Sequence, residues 1–121
     1  MTWKLDSDRP IYAQLLEQIQ MQIVSGQYPS GSKLPSVREL AAHAGVNPNT
    51  MQKAFAELER VGLIQSMRTA GRFVTEDTLL IQNIRQSLAR EQLAGFFQNM
   101  RQLGYQKEEI LSFLKATYEE G

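Results

Sequence analysis

Hydrophobic positions along this chain fall into a few distinct rhythms, and each rhythm marks an element. Ile11, Leu15, Ile19 and Ile23 recur every four residues, with Leu16 and Val24 widening the stripe, which predicts a helix with one buried face. Pro10 stands near its start and Gly26 near its end, positions that suit each residue's backbone. Tyr12 and Gln14 lie off the stripe and are expected to point away from it. Trp3 and Leu5 precede the helix; the pattern leaves open whether they cover its base or pair as a short strand.

A second apolar face follows at Val37, Leu40, Ala41 and Ala44. Ser36 stands three residues before Glu39, the spacing of a capping box, and Gly45 can take the left-handed conformation that ends a helix. Asn47 is then an N-cap and Pro48 a first helical residue, where its missing amide has no intrahelical partner to lose. From there Met51, Ala54, Phe55, Leu58 and Val61 face inward, leaving Asn49, Thr50, Gln52, Lys53 and Ala56 outward. After Gly62, the stretches 63–67 and 72–75 are strand-like and flank a loop containing Gly71, which predicts a hairpin with Arg68 and Arg72 at its tip. Helix, tight turn, helix and basic hairpin together make a winged helix-turn-helix.

Beyond Thr75 the apolar positions Leu80, Ile81, Ile84, Leu88, Leu93, Phe96, Phe97, Met100 and Leu103 keep helical intervals until Gly104. A further helix is expected over 107–119, with Glu108 and Glu109 at its positive end and Ile110, Leu111, Leu114 and Tyr118 on its apolar side. The fold class is therefore mainly α with a small β-hairpin. Residues 1–75 form the winged helix-turn-helix domain and residues 76–121 a C-terminal helical hairpin. Two helices cannot cover that much apolar surface by packing on each other alone, and each large side chain left wet forgoes about 1.5–3 kcal/mol. Leu88, Phe96, Phe97, Met100, Leu103, Ile110 and Leu114 are accordingly expected at a homodimer interface. The alternative is a tail folded back on its own winged domain.

The outward edge of the second motif helix carries the candidate chemistry. A helix in the major groove reads base edges with side chains near its N-terminus, and Asn or Gln can bond adenine bidentately. Asn49, Gln52 and Lys53 are the expected base readers. One surface Asn or Gln alone usually does no more than solvate a helix; the accompanying turn and hairpin favour recognition. Arg68 and Arg72 would reach phosphates or a narrow minor groove.

These residues resemble a known family. The stretch from Leu34 to Ala41 (LPSVRELA), the run Gly45-Val46-Asn47-Pro48-Asn49-Thr50 and the run Gly71-Arg72-Phe73-Val74 are similar to the DNA-binding domain of GntR-family bacterial transcription regulators. The likeness extends to Pro10-Ile11-Tyr12-Ala13-Gln14-Leu15 and to residues 23–31, so it spans 9–75. Asn47 to Phe55 and the short tail resemble the YtrA-type subfamily, whose members often regulate transport operons. The resemblance implies a repressor that binds an inverted-repeat operator in double-stranded DNA as a homodimer. It places Arg38 on the DNA backbone or a base edge, residues 47–53 in the major groove, and Gly71 where the wing nears the minor groove. The DNA-binding set is thus Ser36, Arg38, Asn47, Pro48, Asn49, Thr50, Gln52, Lys53, Arg68, Thr69, Gly71 and Arg72. Lys53 stands where such sequences more often carry Arg, and Thr69 or its neighbour stands where their wing usually has a Gly.

Charge sharpens this picture. The 121 residues balance 13 basic against 13 acidic side chains, unlike a general nucleic-acid binder. Between Lys33 and Arg72, however, six basic residues face three acidic ones, whereas from Glu76 onward five face seven. Positive charge gathers where DNA would sit. There is no cysteine, no apolar run of membrane-spanning length and no signal-like N-terminus, so a soluble cytoplasmic protein is expected. The single histidine, His43, has no companion ligands, and adjacent pairs such as Glu108 and Glu109 do not span a cleft. No catalytic residue, cofactor or metal is expected. A small-molecule effector would need a pocket shared between subunits. The competing reading is a winged-helix module whose exposed helix docks on another protein.

Overall fold

A computed structural model describes residues 3–120, and its elements run α1 (Ile11–Val24), α2 (Val37–Ala44), α3 (Pro48–Arg60), β1 (Ile64–Met67), β2 (Gly71–Val74), α4 (Thr78–Gln102) and α5 (Lys107–Glu120). The chain divides into two compact units, one ending at Arg85 and the other beginning at Gln86. Ile81 and Ile84, in the opening turns of α4, pack against the core of the first unit.

That core joins Leu15, Ile19 and Ile23 of α1 to Leu40 and Ala41 of α2 and to Met51, Ala54, Phe55 and Leu58 of α3, all buried. The expected stripes of the three helices are the ones the structure covers. Val61 is half-buried at the edge, as the C-cap of α3. Trp3 and Leu5 form no strand; both lean on the core as partly buried residues.

Gln14 corrects the sequence reading. It is buried, not outward, and its amide ties down the segment before α1: Nε2 donates to the carbonyls of Asp6 (2.7 Å) and Arg9 (3.0 Å), while Oε1 accepts from the Asp6 amide (2.6 Å). A buried amide with these partners avoids the cost of an unmet polar group.

The wing is an antiparallel hairpin in the register Ile64↔Val74, Gln65↔Phe73, Ser66↔Arg72 and Met67↔Gly71. A third short arm joins its far edge. Lys33 bridges Phe73, the Leu34 amide donates to the Arg72 carbonyl at 2.9 Å, and the Val74 amide donates to the Ser32 carbonyl at 2.8 Å. The chain before α2 thereby anchors β2 from the side opposite β1.

In the second unit, Gly104 (φ 99°) ends α4, and the Glu109 carboxylate accepts the Gln106 amide at 2.9 Å before α5. Ile110 is fully buried within the chain itself, so it presents no surface for a second copy, contrary to its place in the expected interface. Among the described residues no helix is long and apolar enough to cross a membrane.

Candidate nucleic-acid interface

Local chemistry fixes the start of α2 and the tight turn that joins it to α3. The Ser36 hydroxyl accepts the Glu39 amide at 3.1 Å, the Glu39 carboxylate accepts the Ser36 amide at 3.3 Å, and Gly45 ends α2 at φ 72°. Asn47 Oδ1 then accepts the Asn49 amide at 2.8 Å, with Pro48 in the first helical position. Burial of Met51, Ala54, Phe55 and Leu58 turns the opposite edge of α3 outward. Asn47, Pro48, Asn49, Gln52 and Lys53 are exposed and Thr50 is half-buried. Arg38 is exposed on α2. The Ser36 oxygen serves as a cap, yet its hydroxyl proton stays available to an acceptor such as phosphate.

Two side chains of this edge are held. The Lys53 ammonium lies 3.9 Å from the Tyr12 ring centroid, which gives Tyr12 a role in positioning a cation. Gln52 Oε1 accepts from Arg72 at 3.4 Å. That contact belongs to a larger change from the expected arrangement, because Arg72 is not at the wing tip. It sits on β2 with its guanidinium directed back at α3: Nε donates to Glu59 Oε1 at 2.8 Å, and the group lies 5.5 Å from the Phe55 ring centroid. The Ser66 hydroxyl also donates to that Glu59 oxygen, at 2.8 Å. The Arg72 hydrogen bond holds the Glu59 carboxyl below its ordinary range, against partial burial, with help from Ser66. Sequence spacing gave no sign of this link, since residues 59 and 72 lie on different elements.

The tip itself consists of Arg68, Thr69 and Ala70, all exposed, closed by the Ala70 amide on the Met67 carbonyl at 3.0 Å. Behind it, Gly71 adopts φ 104°, and a Cβ there would meet the Lys33 side chain at 3.0 Å. A groove of about 300 Å³ runs between wing and α2, lined by Lys33, Pro35, Ser36, Glu39 and residues 69–72. His43 takes no part in this edge; its Nδ1 accepts the Trp3 indole N–H at 3.2 Å. Among the described residues no group of His, Asp or Glu is arranged to hold a metal ion.

The second unit exposes a different chemistry. Leu93, Leu103, Leu111, Phe113 and Tyr118 are at least half exposed, and Phe96 and Leu114 are 37% exposed. Leu88, Phe97 and Met100 are half-buried. An apolar groove of about 280 Å³ lies among Phe96, Met100, Leu103, Tyr105, Phe113, Leu114 and Thr117.

Comparison with known proteins places these features. Residues 11–74 match the family described as "Bacterial regulatory proteins, gntR family". The chain is similar to the HTH-type transcriptional repressor YtrA of Bacillus subtilis (strain 168), 36% identical over 111 residues that cover 90% of this chain and 85% of that one. Its structure resembles that of a GntR family transcriptional regulator from Listeria monocytogenes, with a TM-score of 0.86 and 40% identity over 93% of this chain and 98% of that one. It also resembles AraR(DBD) in complex with an operator, at a TM-score of 0.54 and 34% identity over 62% of this chain and 94% of that one.

Proposed function

The chain belongs to the gntR family of bacterial regulatory proteins, DNA-binding transcriptional regulators rather than enzymes, and from that premise we propose that it is a repressor acting as a homodimer on an inverted-repeat operator. The observation that carries this reading is the polar edge of α3, where Asn49, Gln52 and Lys53 are all exposed, in a unit whose wing tip carries the exposed Arg68. That edge has the hydrogen-bonding character of a major-groove reader, and Arg68 at the wing tip would meet phosphate or minor groove.

Dimerisation is supported by the apolar side chains that the second unit leaves in water. At about 1.5–3 kcal/mol for each large side chain fully covered, a second copy is the simplest partner that covers them all at once. Two copies related by a two-fold axis would set their recognition helices about 34 Å apart, or a multiple of that, on one face of the duplex. Leu88, Phe96, Phe97, Met100, Leu103 and Leu114 make this interface. The site of action is the cytoplasm, where the operator is.

A polarisation titration with the DNA upstream of the gene tests the reading. Tight binding that weakens steeply with salt is the expected result, through release of counterions from the neutralised phosphates. Binding indifferent to both sequence and salt would refute it. Light scattering tests the assembly, and a monomer at micromolar concentration would refute the dimer.

A further inference from the structure

A lysine carries its charge on a flexible four-carbon stem, so where the ammonium stands is decided by what it touches. In this chain the Lys53 ammonium, on the exposed edge of α3, stands 3.9 Å from the centroid of the Tyr12 ring. Tyr12 belongs to the first turn of α1 and is half-buried. Its backbone is anchored twice. Two residues on, the Gln14 amide ties that turn to the leading segment through the Asp6 and Arg9 carbonyls and the Asp6 amide. Ile11 and Leu15, which flank Tyr12 along α1, pack in or against the core that holds Met51 and Phe55 of α3. The ring is thus carried on a held element, and the ammonium is the mobile partner. The attraction acts on the charge, so N–H groups turned away from the ring stay free to donate to phosphate or base.

Resting on the reading that α3 enters the major groove, we propose that Tyr12 is a positioning residue for DNA binding: its ring holds the Lys53 ammonium at the edge of α3, and the hold tightens as DNA displaces water from the pair. A cation over an aromatic face is attracted weakly in water and more strongly once desolvated. Only that increase counts toward binding, because the free protein already makes the contact. It amounts to about fivefold in affinity for each protomer, and so about 25-fold for a dimer on one duplex. Tyr12 acts through Lys53, and its hydroxyl is dispensable.

A duplex enriched from a random pool by the unaltered protein, labelled for polarisation, is the probe. Tyr12→Phe keeps the ring and is expected to bind like the unaltered protein. Tyr12→Leu removes the ring and should weaken binding about 25-fold for the dimer. Lys53→Met keeps the stem and removes the charge at an exposed position, so the core stays intact. In that background Tyr12→Leu should cost less than about twofold more. A fully fluorinated phenylalanine ring at position 12 preserves the packing but withdraws the negative charge of the ring face, and that protein should bind as weakly as Tyr12→Leu. A loss on Tyr12→Leu that is the same with or without the Lys53 charge would mark Tyr12 as packing alone and overturn the proposal. So would a fluorinated ring that binds like Tyr12→Phe, or a Tyr12→Phe variant as weak as Tyr12→Leu, the mark of a hydroxyl that bonds phosphate itself. If a sequence is enriched but Tyr12→Leu binds it as tightly as the unaltered protein, this inference fails while the DNA-reading function stands; if no sequence is enriched, both fail.

Discussion

Changing Asn47 separates what the start of α3 does for stability from what it does for DNA. Asn47 is exposed, and its Oδ1 accepts the Asn49 amide at 2.8 Å. Asn47→Ala removes the acceptor, and the freed amide turns to water, so the expected loss is that of an ordinary N-cap, about 1 kcal/mol. In a unit of this size that lowers the unfolding temperature by about 4–8 °C. Asn47→Asp keeps the acceptor and adds a negative charge at the positive end of α3, a gain of about 0.3–1 kcal/mol, so the protein should unfold at a higher temperature. The same charge would stand among operator phosphates. At about 6 Å and the dielectric of water, each phosphate contributes about 0.7 kcal/mol of repulsion, and two of them weaken binding about tenfold for each protomer on the operator. Asn47→Asp should therefore be the more stable protein and the poorer binder. Circular dichroism melts at one fixed protomer concentration, beside polarisation titrations on one operator, read both effects. Asn47→Asp binding as tightly as the unaltered protein would put the start of α3 away from DNA; an unchanged melt for Asn47→Ala would refute the cap.

Phe55→Ala, at the fully buried centre of the first unit, is expected to cost about 3–5 kcal/mol in a urea titration, enough to unfold a substantial fraction of a marginally stable domain. Arg68→Ala, at the exposed wing tip, should weaken binding to every duplex and reduce the salt slope by about 0.9 per protomer, about 1.8 for the proposed dimer, read by polarisation at several salt concentrations. Glu59 has a lowered folded pKa, so its contribution is fully present at neutral pH and is lost as the pH falls below the ordinary value of 4.5. Thermal melts of Glu59→Gln and the unaltered protein should accordingly differ at pH 7 and converge in acid.

What was legible in the sequence is what neighbouring residues decide among themselves. The Ser36 and Glu39 box, the Gly45 stop, the Asn47 cap with Pro48 and the stripe through Met51, Phe55 and Leu58 each act within a few positions, and each lies in the structure where spacing predicts it. The tail helices and Gly104 follow for the same reason. Features made by residues far apart were not legible. The arm at residues 31–34 is too short to show a period of its own and exists because β2 offers it a free edge. Ile110 sits on an apolar stripe like its neighbours, and periodicity does not say which member of a stripe the chain itself covers. Gln14 left a faint sign: with Gln18 it forms two amides four residues apart, and Gln18 Nε2 likewise donates to a carbonyl of the leading segment, that of Lys4, at 2.7 Å.

Charge is where the two kinds of information have to be combined. Counting alone gives six basic residues against three acidic ones between Lys33 and Arg72. The structure shows how they are disposed. Glu57 pairs with Arg60, Glu59 pairs with Arg72, and Glu39 is committed to the Ser36 amide. Pairing does not alter the sum, but it turns opposite charges into short dipoles whose field fades quickly with distance. Lys33, Arg38, Lys53 and Arg68 are exposed and, among the described residues, have no carboxylate partner. Their fields reach outward as single charges, within a Debye length of about 10 Å at moderate salt. A protein with no net charge can thereby meet a polyanion with a cationic face. On the proposed reading as a homodimer on DNA, affinity rests on those four cations, repeated in each protomer, while discrimination between sequences falls to the short amide edge of α3.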